Sequence, residues 1–119
     1  MLAILSGAGL GFFYYKKHQN KEKFTIMWSI YAGWMPWPYA YDSGIIKKWA
    51  DKYDINIEFR QADYIPSIEA YVSNNADGVV MTNIEAINMA ASAGVDNTAV
   101  IMGDYSNGND AVLARDTNS

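Results

Sequence analysis

Residues 55–83, INIEFRQADYIPSIEAYVSNNADGVVMTN, contain a whole strand–helix–strand unit. Over Ile55 to Gln61, Ile55, Ile57 and Phe59 alternate with Asn56, Glu58 and Arg60. That period of two predicts a strand with one polar face, near the edge of a sheet. A helix is expected from about Tyr64, with Asp63 as N-cap, Pro66 in the first turn, and Ile68, Tyr71 and Val72 on one face. It should end near Asn74 or Asn75. Gly78 to Met81 then reads as a buried strand, and Thr82-Asn83-Ile84-Glu85 is the S/T-x-x-E pattern that opens a further helix, stopped by Gly94.

The same alternation extends outward from this unit. Upstream, Phe24 to Ile30 is a β-rich run, and Tyr31 to Trp37 contains Gly33 and Pro36 and reads as a loop. A helix from Pro38 to about Tyr53 follows, with Ile45, Ile46, Trp49, Ala50 and Tyr53 as its buried stripe. Downstream, Thr98 to Gly103 predicts a fourth strand, Asp104 to Asp110 a polar loop, and Ala111 the start of a fifth strand. The order β-α-β-α-β-α-β-β predicts an α/β fold, a mostly parallel sheet flanked by helices with right-handed crossovers.

The 119 residues are 50% hydrophobic and 18% charged, a composition that fits one small globular domain. There is no cysteine, which removes disulfides, thiolate metal sites and cysteine nucleophiles. His18 is the single histidine, so a paired-imidazole zinc site cannot be assembled, and its place in the basic N-terminal stretch argues against a Ser/His/Asp triad. No catalytic residue, metal or cofactor is expected. The first 23 residues carry Lys16, Lys17, Lys21 and Lys23 against Glu22, a net of +3 in a chain of −4. The rest is therefore acidic, which argues against nucleic acid as a partner.

Leu2 to Tyr15 (LAILSGAGLGFFYY) is an uncharged run closed by Lys16 and Lys17. As a helix it would cover about 21 Å, short of the ~30 Å hydrocarbon core, so a signal-peptide core fits its length better than a span. No basic n-region precedes it and no small-x-small cleavage site follows it. Gly7, Gly9 and Gly11 do not make a dinucleotide loop, because Phe12 stands where the third glycine belongs and no strand precedes them.

In a parallel sheet, ligands bind beyond the carboxyl ends of the strands. Three segments are expected at that edge: Tyr31 to Tyr41, Thr82 to Glu85, and Asp104 to Asp110. The first is the most distinctive, with Trp28, Tyr31, Trp34, Trp37, Tyr39 and Tyr41 within fourteen residues. Such rings could box a small planar or cationic solute, at about 0.5 to 2 kcal/mol per cation contact. Asp42 and Asp104 could bring carboxylates to the same mouth, which favours a cation. Core packing of Trp28 and Trp37 and ordinary capping by Thr82 and Asn83 are the competing readings. Turn formation is the competing reading for Asp104, Ser106, Asn107 and Gly108.

Three stretches carry a family likeness: Trp28-Ser-Ile-Tyr-Ala-Gly-Trp-Met-Pro-Trp37, Ser43-Gly-Ile-Ile-Lys-Lys-Trp-Ala-Asp-Lys-Tyr53 and Asp77-Gly-Val-Val-Met-Thr-Asn83. From Phe24 to about Leu113 the chain resembles nitrate/sulfonate/taurine-type solute-binding proteins of ABC importers. Within them it looks most like the branch associated with urea or guanidine uptake. The resemblance implies a type 2 periplasmic binding fold, closing on a solute between two lobes and docking on a membrane permease. It implies a periplasmic or extracytoplasmic location, with residues 1–23 as signal or anchor segment and basic linker. Residues 24–119 would be the N-terminal part of lobe I, without the second lobe, and the protein a monomer touching membrane only through its N-terminal segment. The expected ligand-facing residues are Tyr31, Trp34, Trp37, Asp42, Thr82, Asn83, Asp104 and Asn107. A membrane-tethered sensor domain and a thiamine-pyrimidine-synthase-like enzyme are the alternatives; the enzyme would need an active-site histidine and a cysteine-rich motif, and this chain has no cysteine and a single histidine, His18, in its basic N-terminal stretch.

Overall fold

The computed structural model describes residues 21–108 and 111–115. The expected signal or anchor segment up to residue 20, and Asp110 at the end of the polar loop, lie outside these residues. Three parallel strands make one sheet, in the order β2-β1-β3: β1 is Glu22–Trp28, β2 is Ile55–Gln61 and β3 is Gly78–Val79. Between β1 and β2 lie a 3-10 turn, Ala32–Trp34, and two helices, α1 (Pro36–Asp42) and α2 (Ile45–Lys52). Helix α3 (Tyr64–Val72) joins β2 to β3, and α4 (Asn83–Glu85) runs on as a π-helix, Ala86–Ala91. The α/β expectation holds: a parallel sheet flanked by helices.

Strand β2 has the predicted bounds and lies at an edge. Its pairing with β1 runs in register from Glu22↔Ile55 to Trp28↔Gln61, so Phe24, Ile26, Ile57 and Phe59 share one face, and Lys23, Thr25, Glu58 and Arg60 the other. Trp37 and Tyr41 of α1 cover the first face at Phe59, with ring centroids 6.1 and 5.8 Å away. On the polar face, Arg60 donates to both Glu58 oxygens at 2.9 and 3.0 Å, and Lys23 Nζ lies 2.6 Å from the same carboxylate. The Arg60 hydrogen bonds, then that of Lys23, lower the Glu58 pKa from 4.5 to about 2.

Because the folded value lies below the ordinary one, this pairing favours the fold above about pH 4.5 and ceases to do so as pH falls toward 2. A carbon-detected NMR titration should place the Glu58 midpoint near 2. It should move up in salt of about 1 M, where the Debye length shrinks to about 3 Å. A midpoint near 4.5 at low salt would contradict the pairing.

Beyond shifts at element ends, with β3 stopping at Val79 short of Met81, the first helix starting at Pro36 and the last ending at Ala91, expectation and structure differ at four places. The single helix from Pro38 to Tyr53 is instead two, because Gly44 adopts φ +78, a left-handed geometry that interrupts the helix. Of the predicted stripe on α2, Ala50 is buried and Ile46 half-buried, whereas Ile45, Trp49 and Tyr53 are exposed. The helix lies on edge strand β2, which is too narrow to cover its whole apolar arc. Asp63 precedes α3 with extended backbone, but its side chain makes no capping hydrogen bond. Finally, Thr98 to Gly103 and residues 111–115 form no strand, and Val100, Ile101, Met102, Val112 and Leu113 stand exposed. The hydrophobic run is present, but among the described residues it has no strand beside it to complete a ladder.

Helix α3 packs against β1 and β3 through Ile68, which is fully buried, as is Ser67. The Ser67 hydroxyl is satisfied by the Tyr64 carbonyl at 2.7 Å. Met27, Trp28, Ala76 and Ala90 complete this part of the core. At the start of β3 the Asp77 carboxylate accepts the Thr25 N–H at 2.7 Å, while its own N–H donates to the Thr25 carbonyl at 2.9 Å. Among the described residues no helix is long and apolar enough to cross a membrane.

Candidate functional site

The three strands run parallel, so the segments leaving their carboxyl ends come together at one edge. After β1, Ser29 is buried and Ile30 and Tyr31 are exposed. The 3-10 turn then places Trp34, only 7% exposed, against the start of α3. Its ring is 5.0 Å from that of Tyr31 and 5.4 Å from that of Tyr64, both tilted. The three rings form a continuous aromatic wall spanning the loops that follow β1 and β2, with geometry typical of favourable aromatic pairs.

Tyr64 links that wall to the loop after β3. Its hydroxyl donates to Glu85 Oε2 at 2.8 Å and accepts the Thr82 backbone N–H at 3.0 Å. The Thr82 hydroxyl also donates to Glu85 Oε2. The expected S/T-x-x-E capping box does not form: the Thr82 hydroxyl meets the Glu85 carboxylate and makes no bond to the helix backbone, and the Thr82 N–H goes to Tyr64. These bonds, that of Thr82 first and that of Tyr64 second, hold the Glu85 carboxyl below the usual range. Burial pushes the Tyr64 phenol up. Both directions favour the same pair, a neutral phenol donating to an ionised carboxylate.

A second carboxylate reaches this edge from the polar loop. Asp104 lies so close to Gly33 that a Cβ placed there would come within 1.8 Å of Asp104 Oδ2. Glycine at position 33 is what lets the Asp104 side chain lie on the backbone of the aromatic loop.

The predicted residues divide as follows. Tyr31, Trp34, Thr82 and Asp104 are brought to one edge, Thr82 through Tyr64 and Asp104 through Gly33. Asn83 is exposed beside Thr82 at the start of α4, and Asn107 is exposed in the loop after Asp104. Trp37 is turned away, its ring stacked on Phe59 over β2, and Asp42 is exposed at the end of α1. Two members of the cluster, Tyr64 and Glu85, were absent from the expected ligand-facing set. The capping pattern pointed to Glu85; nothing local pointed to Tyr64, whose role depends on α3 packing beside β1.

A cleft of about 150 Å³ opens next to the cluster, lined by Ser29, Ile30, Gln61, Ala62, Asp63 and Tyr64. A larger groove of about 470 Å³ lies at the opposite end of the strands, among Phe24, Tyr71, Asn74, Asp77, Val95 and Asp96. Size favours the groove, but aromatic rings and the hydrogen-bonded Glu85 carboxylate converge beside the cleft, and convergent polar chemistry is the better guide to a site. A wall of rings with carboxylates beside it suits a small planar cation, which can stack and be hydrogen-bonded in plane.

No family model matches the chain, and searches of curated proteins and of solved structures likewise give no match.

Proposed function

We propose that this chain belongs to a solute-binding component of an ABC importer, a carrier and not a catalyst. It would capture a small nitrogen-containing solute outside the cytoplasm for delivery to a membrane permease. The observation that carries the reading is the convergence, at the carboxyl edge of a parallel sheet, of Tyr31, Trp34 and Tyr64 with Thr82, Glu85 and Asp104. These are aromatic faces and acceptors without the histidine or cysteine of the alternative enzyme. Among the solutes of the resembling family, two acids beside three rings favour a guanidinium-like cation over nitrate, sulfonate or taurine.

A type 2 periplasmic binding fold also accounts for the exposed apolar residues Val100, Ile101, Met102, Val112 and Leu113. In such a lobe, strands returning from a second lobe complete the sheet and cover surface of this kind. Solute touching both lobes would then bias a hinge toward its closed state.

Calorimetric titration of a folded two-lobed protein carrying this sequence, with guanidinium, urea, nitrate and taurine, tests the proposal. Guanidinium should bind, and Asp104→Asn and Glu85→Gln should each weaken it about tenfold or more, the loss expected for one charge-assisted hydrogen bond. Lys47→Ala, on the outside of α2, should leave affinity unchanged. Equal affinity in all three variants would refute the site, and binding of nitrate or taurine in place of guanidinium would refute the solute class.

A further inference from the structure

We infer that the outer shoulder of α2, formed by Ile45, Trp49 and Tyr53 with Lys48 and Lys52, is a contact surface for an anionic lipid bilayer. The helix buries Ala50 and half-buries Ile46, and the remaining apolar residues continue around one side. Ile45 is 47%, Trp49 49% and Tyr53 63% exposed, at a spacing of four that makes one stripe. The Trp49 and Tyr53 rings stack at 6.4 Å with an interplanar angle of 19°, so the stripe is a preformed flat surface.

Charge sets the partner. Three of the five lysines of the described residues, Lys47, Lys48 and Lys52, lie on α2, and a fourth, Lys21, reaches it from just before β1. Lys21 joins the two elements through Asp51 at 3.4 Å. Lys21, Lys23 and Lys47 have carboxylate partners, whereas among the described residues Lys48 and Lys52 have none. Lys52 Nζ instead lies over the Trp49 and Tyr53 rings, 4.7 and 5.6 Å from their centroids. The carboxylates nearest the stripe, Asp51 and Asp54, are engaged by Lys47 and Lys21, which leaves Lys48 and Lys52 as the free charges beside the rings.

Unpaired ammonium groups beside Trp and Tyr rings suit the headgroup layer, where the rings enter the acyl boundary and the cations stay among phosphates. A second copy docking by the same patch would bring Lys48 and Lys52 against their equivalents, an unfavourable pairing of like charges. An anionic lipid surface removes that repulsion and attracts the two free lysines.

Tryptophan emission provides the test. Trp28 and Trp34 are buried and Trp37 half-buried, which leaves Trp49 as the most exposed of the four. The full chain is titrated with phosphatidylcholine vesicles, with and without phosphatidylglycerol, carrying brominated or plain acyl chains. Vesicle binding alone is not the readout, because the uncharged run Leu2–Tyr15 can partition by itself. Brominated vesicles containing phosphatidylglycerol should quench emission, and Trp49→Phe should abolish the quenching. Lys48→Glu with Lys52→Glu should raise the lipid concentration needed about thirtyfold, the loss expected for two surface cations. Quenching that survives Trp49→Phe, or that is equal with pure phosphatidylcholine, overturns the inference. So does shielding of Trp49 from acrylamide that grows with protein concentration without lipid, which would place a second copy on the stripe.

Discussion

Trp34→Ala should lower the unfolding free energy by about 3–5 kcal/mol, the range for removing a large buried ring. The same change should remove guanidinium binding. Trp34 stands between Tyr31 and Tyr64, and it is the one ring in contact with both. Its loss leaves a void beneath the loop after β1 and frees Tyr64, whose hydroxyl otherwise holds Glu85 and the Thr82 N–H. Urea unfolding monitored by circular dichroism gives the stability. Trp34→Phe separates the two roles, because it retains an aromatic face: stability should fall by less than in Trp34→Ala and binding should persist. If Trp34→Ala unfolds with the wild-type midpoint, the ring does not support the loop and the site geometry is wrong.

Ile68→Ala should cost about 2–5 kcal/mol and leave the solute affinity of the folded protein unaltered. Ile68 has no exposed surface, and α3 holds both β1 and β3 through this face. The predicted cavity lies under the middle of α3, one turn beyond Tyr64, so the hydroxyl network at the start of the helix is preserved. Equilibrium unfolding of the variant checks the first part and calorimetry the second. A loss below about 1 kcal/mol would mean that α3 is not seated on the sheet as described. A fall in affinity equal to that of the Asp104 variant would mean that the network depends on the whole helix.

The regular elements that the sequence specifies most clearly are those whose pattern is local. Alternation from Ile55 to Gln61 marks β2 and its edge position, and Thr82 to Glu85 marks the turn into α4. The interruption of the long helix was less visible, since Gly44 is tolerated in a helix and it takes the observed φ of +78 to show that it breaks one. Thr98 to Gly103 has the composition of a strand, but strand pairing needs a neighbour, and composition cannot supply one. The shoulder of α2 has the same origin: the periodicity of Ile45, Trp49 and Tyr53 shows an apolar face without showing how much of it the sheet covers.

The candidate site follows the same division. Tyr31, Trp34, Thr82 and Asp104 follow from placing three loops at one strand edge. Trp37 belongs to the same aromatic loop, but the first turn of α1 turns it onto Phe59. Tyr64 is invisible as a site residue because its partners lie thirty residues before it and about twenty after it. Only the crossing of α3 beside the loop after β1 brings them together.

The central claim is that a small cation is held where the loops after β1, β2 and β3 meet. Amide chemical-shift mapping of the two-lobed protein carrying this sequence, with guanidinium chloride, tests it most directly, using sodium chloride at equal ionic strength as reference. Saturable shifts should concentrate at Tyr31 to Trp34, Tyr64, Thr82 to Glu85 and Asp104, and be absent from α2. Shifts confined to the groove near Asp77 and Asp96, or no saturable shift anywhere, would contradict the account.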